Sequence, residues 1–235
     1  MQRTDERDTK TRIADAVSLF LTRYWKPIVF VLAGIAVIIV AVFVYLQIQS
    51  ARADDSAQAL ESLQEDYDAW TEAEEDAQRT ELEEAVLSQV EDIADSYDGM
   101  YAAARALMLR ADLRWQKEEW ADAASDYMQV AADYADTHLG PVALFNAAAA
   151  EESAGNTETA LGHINRLVER YAGEEPTPEI ARALFTQGRL NEMENNYDIA
   201  AEAYNRLVDE HPQSSWTNLA RNRIIALKTR GLIEE

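Results

Sequence analysis

Three stretches of this chain carry the same helical pattern, first 37 and then 40 residues apart. "WADAASDYMQVAADYA" (120–135) aligns with "TETALGHINRLVERYA" (157–172) and "YDIAAEAYNRLVDEHP" (197–212). Ala123, Ala160 and Ala200 share a column. Four residues on come Tyr127, Ile164 and Tyr204, and three further come Val130, Leu167 and Leu207. A step of four and then three stays on one face of a helix. The alanine column lets a neighbouring helix approach closely. Ahead of each stretch lies another apolar run with helical spacing. Leu107, Leu144 and Leu184 align there, followed by Ala111, Ala148 and Gly188. Glycine inside a helix costs about 1 kcal/mol relative to alanine, so Gly188 marks a close helix contact. "AGN" (154–156) and "ENN" (194–196) read as hairpin turns, and Pro141 and Pro178 as helix starts. Two helices per period predict an all-α helix-turn-helix solenoid.

These columns resemble the tetratricopeptide repeat (TPR) family. Leu184, Gly188, Tyr197, Ala200, Tyr204 and Pro212 fit its motif in the third repeat. Leu144, Ala148, Gly155 and Ala160 do so in the second, and Leu107, Ala111, Trp120, Ala123 and Tyr127 in the first. The aromatic residue expected near the middle of each first helix is absent; Arg114, Glu151 and Asn191 stand there. The resemblance implies a right-handed solenoid whose first helices line a groove for peptides or partner proteins. The matching positions are Arg105, Met108, Asp112 and Trp115, then Phe145, Ala149 and Glu152, then Arg182, Phe185, Arg189 and Glu192. This mixture of aromatic, sulfur and charged groups suits an extended or helical peptide. Arg189 is the cation singled out to meet a partner carboxylate. Packing of Trp115 and Phe145 against the N-terminal hairpin is the competing reading. Trp120, Tyr127, Tyr197 and Tyr204 read as packing within the repeats.

Both ends of the solenoid need covering. Leu60, Leu63, Tyr67 and Trp70 form one seam, and Leu82, Val86, Val90, Ile93 and Tyr97 another, with "TEAEEDAQ" between them. They read as a decayed first hairpin. Trp216, Leu219, Ala220, Ile224 and Leu227 make a capping helix that Gly231 stops.

The run "IVFVLAGIAVIIVAVFVYL" (28–46) holds no charge. As a helix it covers roughly 28 Å, close to the ~30 Å hydrocarbon core of a bilayer. Arg3, Arg7, Lys10, Arg12, Arg23 and Lys26 precede it, whereas Arg52 follows it and gives way to an acidic run. That bias puts the N-terminus in the cytoplasm and the larger domain across the membrane. An uncleaved signal anchor is expected rather than a signal peptide cut near "ARAD" (51–54), because the apolar stretch exceeds the usual 7–15 residues. Ile13, Val17, Phe20, Leu21 and Tyr24 recur at helical spacing within "TRIADAVSLFLTRYW" (11–25). They read as a short amphipathic helix on the membrane face, or as an extension of the span.

Beyond residue 50 the chain has 39 acidic and 15 basic residues. Such a surface repels phosphate backbones, so nucleic acid is not an expected partner. There is no cysteine, hence no disulfide and no thiolate site. His138, His163 and His211 are scattered, and the acidic runs lack calcium-loop spacing. No metal, cofactor or catalytic residue is expected, and the chain reads as a scaffold rather than an enzyme.

The expected organisation is a cytoplasmic tail over 1–26, a transmembrane helix over 27–48, a linker and degenerate hairpin over 49–98, three repeats over 99–214 and a cap over 215–235. This layout is similar to the YfgM-type family, ancillary subunits of the SecYEG translocon in the bacterial inner membrane. The resemblance rests on "AVSLFLTRYWKPI", "YDIAAEAYNRLVDE" and "LARNRIIALK". It implies a periplasmic domain that works with the translocon and with periplasmic chaperones to help exported proteins. The rival expectation is an anchored TPR scaffold for envelope assembly or cell division.

Overall fold

The computed structural model describes residues 3–173 and 178–234, and for 3–14, 16, 17, 21, 28 and 178 the backbone alone. The described residues are helical throughout, apart from turns. They divide into two compact units, Met1–Asp55 and Ser56–Glu235. The "AGEEPTP" linker lies largely outside the described residues.

In the first unit, α1 (Arg3–Glu72) includes Pro27. The side chains from Val29 to Leu46 are exposed, Phe30 at 77%. A soluble surface rarely leaves so large an apolar patch uncovered. This N-terminal apolar helix is consistent with a membrane span. Aromatic rings mark both ends. Lys26 lies over the Trp25 ring and Arg23 over Tyr24, while Gln49 donates to the Tyr45 hydroxyl at 3.2 Å. The stretch 11–25 is helical within α1, but the side chains of Ile13, Val17 and Leu21 lie outside the described residues.

The second unit opens with the end of α1 and α2 (Asp76–Ser96). Leu63, Tyr67 and Trp70 from the first and Val86, Val90 and Ile93 from the second are all buried. Three hairpins follow: α3 (Tyr101–Gln116) with α4 (Trp120–Asp133), α5 (Leu139–Ser153) with α6 (Thr157–Tyr171), and α7 (Pro178–Met193) with α8 (Tyr197–Glu210). The last helix is α9 (Ser215–Thr229), whose N-cap Ser214 accepts from the Trp216 amide. From α2 onward each helix packs on the next, and α5 also packs on α3, α7 on α5 and α9 on α7. This is the all-α, TPR-like solenoid of helical hairpins.

The repeat columns explain the stacking. Ala123, Ala160, Ala200, Val130, Leu167 and Leu207 are each fully buried, as are Ile164 and Tyr204. Each large side chain among them contributes about 1.5–3 kcal/mol by leaving water. The turns repeat as faithfully as the core. Glu118, Gly155 and Asn195 have φ of 61°, 84° and 61° and occupy one column. Around each, the amide of the following residue (119, 156 or 196) reaches back to the carbonyl of Arg114, Glu151 or Asn191 at 2.8–2.9 Å. The amide of the left-handed residue itself bonds Trp115, Glu152 or Glu192. Each first helix therefore ends in a Schellman motif, which satisfies its last carbonyls and turns the chain straight into the second helix.

Candidate functional site

The first helices of the second and third repeats and the cap enclose a cavity of about 220 Å³. Phe145, Ala149 and Glu152 come from α5, and Arg182, Phe185, Thr186 and Arg189 from α7. Ile164 of α6 and Trp216 of α9 complete the lining. Six of the sequence-derived groove positions therefore meet at one place. They do so because helix positions three, four and seven apart lie on one face, and because α5 and α7 pack side by side.

Aromatic groups border the cavity. The Phe185 ring lies 5.3 Å from Trp216 and 5.6 Å from Tyr204, tilted against both. Phe145 is buried, and the guanidinium of Arg182 stands 3.9 Å from its ring centroid. Arg189 is engaged within the protein. Its two terminal nitrogens donate to both oxygens of Glu152, at 2.5 and 2.6 Å. The Glu152 hydrogen bond outweighs desolvation and raises the Arg189 guanidinium further above its ordinary value. Arg182 is exposed and forms no ion pair among the described residues. Of the two guanidiniums, Arg182 is the one left to face outward.

The remaining groove positions are arranged differently. Met108 is buried at 3% exposure. Trp115 meets Trp120 of α4 edge-on at 4.9 Å. Arg105 approaches Asp112 at 3.8 Å, and Asp112 accepts the Tyr127 hydroxyl at 2.5 Å. Glu192 accepts the Tyr204 hydroxyl at 2.7 Å and two bonds from Arg223 of α9, one from Nε at 2.9 Å. Glu152 and Glu192 occupy one repeat column, and each ties its helix to the first helix of the next unit. Sequence reasoning assigned Ile164 to the core column and Trp216 to the cap. Thr186 was not singled out. What these three lacked was the spacing between α6, α7 and α9, which no single-helix pattern carries.

Two partly buried carboxylates respond oppositely to acid. Burial pushes Asp112 above its ordinary 3.8, against the pull of Tyr127 and Arg105. Burial would also raise Glu192, but hydrogen bonds from Arg223 and Tyr204 prevail and hold it below. For Asp112, the raised folded value means its contribution favours folding in acid and is lost as pH rises through that value. For Glu192, the contribution is present above the ordinary carboxylate range and lost as pH falls through the depressed value. Asp112→Asn is therefore expected to raise stability at neutral pH and lose that advantage in acid. Glu192→Gln is expected to lower it at neutral pH, with the deficit closing in acid. Urea midpoints across the acidic range check both signs.

Among the described residues, no group of three or more His, Asp and Glu side chains is gathered to hold a metal. The chain is similar to a TPR repeat-containing protein of Treponema pallidum (strain Nichols), at 32% identity over 152 residues. The match covers 63% of this chain and 61% of that protein's length. Among solved structures it is similar to PcrH in complex with the chaperone binding region of PopB. There the identity is 15% and the TM-score 0.44, over 55% of this chain and 98% of that one. The repeats form a TPR-like protein–protein interaction module. Matched over residues 19–228, the chain belongs to the tetratricopeptide repeat-like domain family.

Proposed function

We propose that this chain is a membrane-anchored scaffold that offers the face of its first helices to other polypeptides. It works on the extracytoplasmic side of a bacterial inner membrane, with the SecYEG translocon and periplasmic chaperones, and assists exported proteins. The observation that carries the reading is the aromatic cavity between α5, α7 and α9, built from side chains that the repeat pattern directs to one face. The excess of basic residues before the apolar helix, against Arg52 just after it, supports the orientation. The translocon assignment is supported by the likeness to the YfgM-type family in the stretches 16–28, 197–210 and 219–228.

Crosslinking in native membranes tests it. With a photoreactive side chain at Thr186, the expected products are SecYEG components, exported chains and periplasmic chaperones. Recovery of outer-membrane assembly or division proteins in their place overturns the translocon assignment and leaves an envelope scaffold. A reporter joined after Glu235 that works only in the cytoplasm overturns the topology.

A further inference from the structure

We infer that the cavity between α5, α7 and α9 holds one large apolar or aromatic side chain of an extended polypeptide, and that Arg182 pairs with a carboxylate two residues along that polypeptide. The inference rests on the scaffold reading and narrows it to one partner chemistry. At about 220 Å³ the cavity is smaller than the ~300–1,000 Å³ of small-molecule pockets. It has room for a side chain rather than for a whole ligand. Phe145, Ala149, Ile164, Phe185 and Trp216 give it an apolar lining, which favours an apolar anchor.

Charge then selects what lies beside the anchor. The lining carries two guanidiniums, Arg182 and Arg189, against one carboxylate, Glu152. The site is therefore locally positive in a chain of net charge −22. Glu152 already holds Arg189 through two hydrogen bonds. Among the described residues, Arg182 is held by its position over the Phe145 ring and by no ion pair. That attraction is weaker than a charge-assisted hydrogen bond to a carboxylate. An incoming carboxylate would draw Arg182 aside and uncover the face of Phe145 for the anchor. In an extended chain, side chains two apart point the same way and lie about 6.6 Å from each other. A carboxylate two residues from an anchor in the cavity would therefore point to the face of the protein on which Arg182 lines the cavity.

The test uses the full chain in detergent micelles and capped, fluorescein-labelled Gly/Ser peptides containing Phe-Ser-Asp, Phe-Ser-Lys or Ala-Ser-Asp. Fluorescence anisotropy is expected to show Phe-Ser-Asp bound at least about tenfold more tightly than either of the others, roughly the effect of one charge-assisted contact. Arg182→Glu is expected to reverse the order of the Asp and Lys peptides. Arg182 is exposed, so the variant should fold, and its circular dichroism should match the parent's. Reduced, carboxymethylated lactalbumin, an unfolded chain, separates the two levels of the inference. If that chain is captured but Phe-Ser-Asp and Phe-Ser-Lys bind alike, or Arg182→Glu leaves their order unchanged, the partner chemistry is overturned and the scaffold reading stands. If neither lactalbumin nor any peptide binds, both fall.

Discussion

Replacing Asp126 with alanine is expected to lower the stability of the first repeat by about 3–5 kcal/mol. Asp126 lies on α4 at 4% exposure, facing α3. Arg110 donates to it from Nε at 3.0 Å and from Nη2 at 2.8 Å, and Arg114 from Nη1 at 2.7 Å. The two arginines stand four apart on α3, so their guanidiniums converge on one carboxylate across the hairpin. Deleting the carboxylate leaves two part-buried cations with no counter-charge between them, which costs far more than the pair contributes to stability. Exchanging all three for apolar residues of similar volume is therefore expected to recover most of the loss. Chemical unfolding of the full chain in micelles, followed by circular dichroism, separates these outcomes. If Asp126→Ala unfolds within about 0.5 kcal/mol of the parent, the range of an ordinary surface substitution, the triad is not holding α3 to α4.

That triad shows where sequence legibility stopped. The core columns and the turns at 154–156 and 194–196 could be read because each depends on spacing within one helix or one short loop. Ala123, Ala160 and Ala200 recur at fixed positions, and the left-handed residues Glu118, Gly155 and Asn195 recur with them. Arg114, Glu151 and Asn191 looked like departures from an aromatic column. In the structure their backbone carbonyls close the Schellman turns, and their side chains make polar bonds. Arg114 bonds Asp126, Glu151 accepts from Asn156, and Asn191 donates to the Gln187 carbonyl. The candidate site was legible as a face and not as a set of pairs. Arg189 was the cation singled out, and its partner Glu152 lies 37 residues away on the preceding first helix. Which arginine is neutralised depends on how far α7 is shifted along α5. Periodicity within either helix does not contain that shift.

Gly188→Val is expected to destabilise the third repeat by about 1–3 kcal/mol, the usual range for overpacking a well-filled core. A Cβ built at Gly188 would stand 2.7 Å from both Cδ1 and Cζ of Tyr204, well inside van der Waals contact. The ring has no open direction in which to retreat. Tyr204 is fully buried, its hydroxyl is held by Glu192 at 2.7 Å, and Phe185 lies against it at 5.6 Å. Alanine at the same position should show a smaller loss, because it regains about 1 kcal/mol of helix propensity. Gly162 supplies the control. It lies in α6 with nothing within 4 Å of its would-be Cβ, so Gly162→Ala should stabilise the protein by about 0.5–1 kcal/mol. Opposite signs at two helical glycines isolate the ring contact from the backbone effect. A double-mutant cycle with Tyr204→Leu completes the argument: the cost at Gly188 should largely vanish once the ring is gone. If Gly188→Ala stabilises as Gly162→Ala does, the close approach of α7 and α8 does not limit the third repeat. Because Phe185 and Trp216 pack in sequence onto Tyr204 and Phe185, a displaced ring should also alter the cavity. Gly188→Val is then expected to weaken peptide binding even under conditions where the chain stays folded.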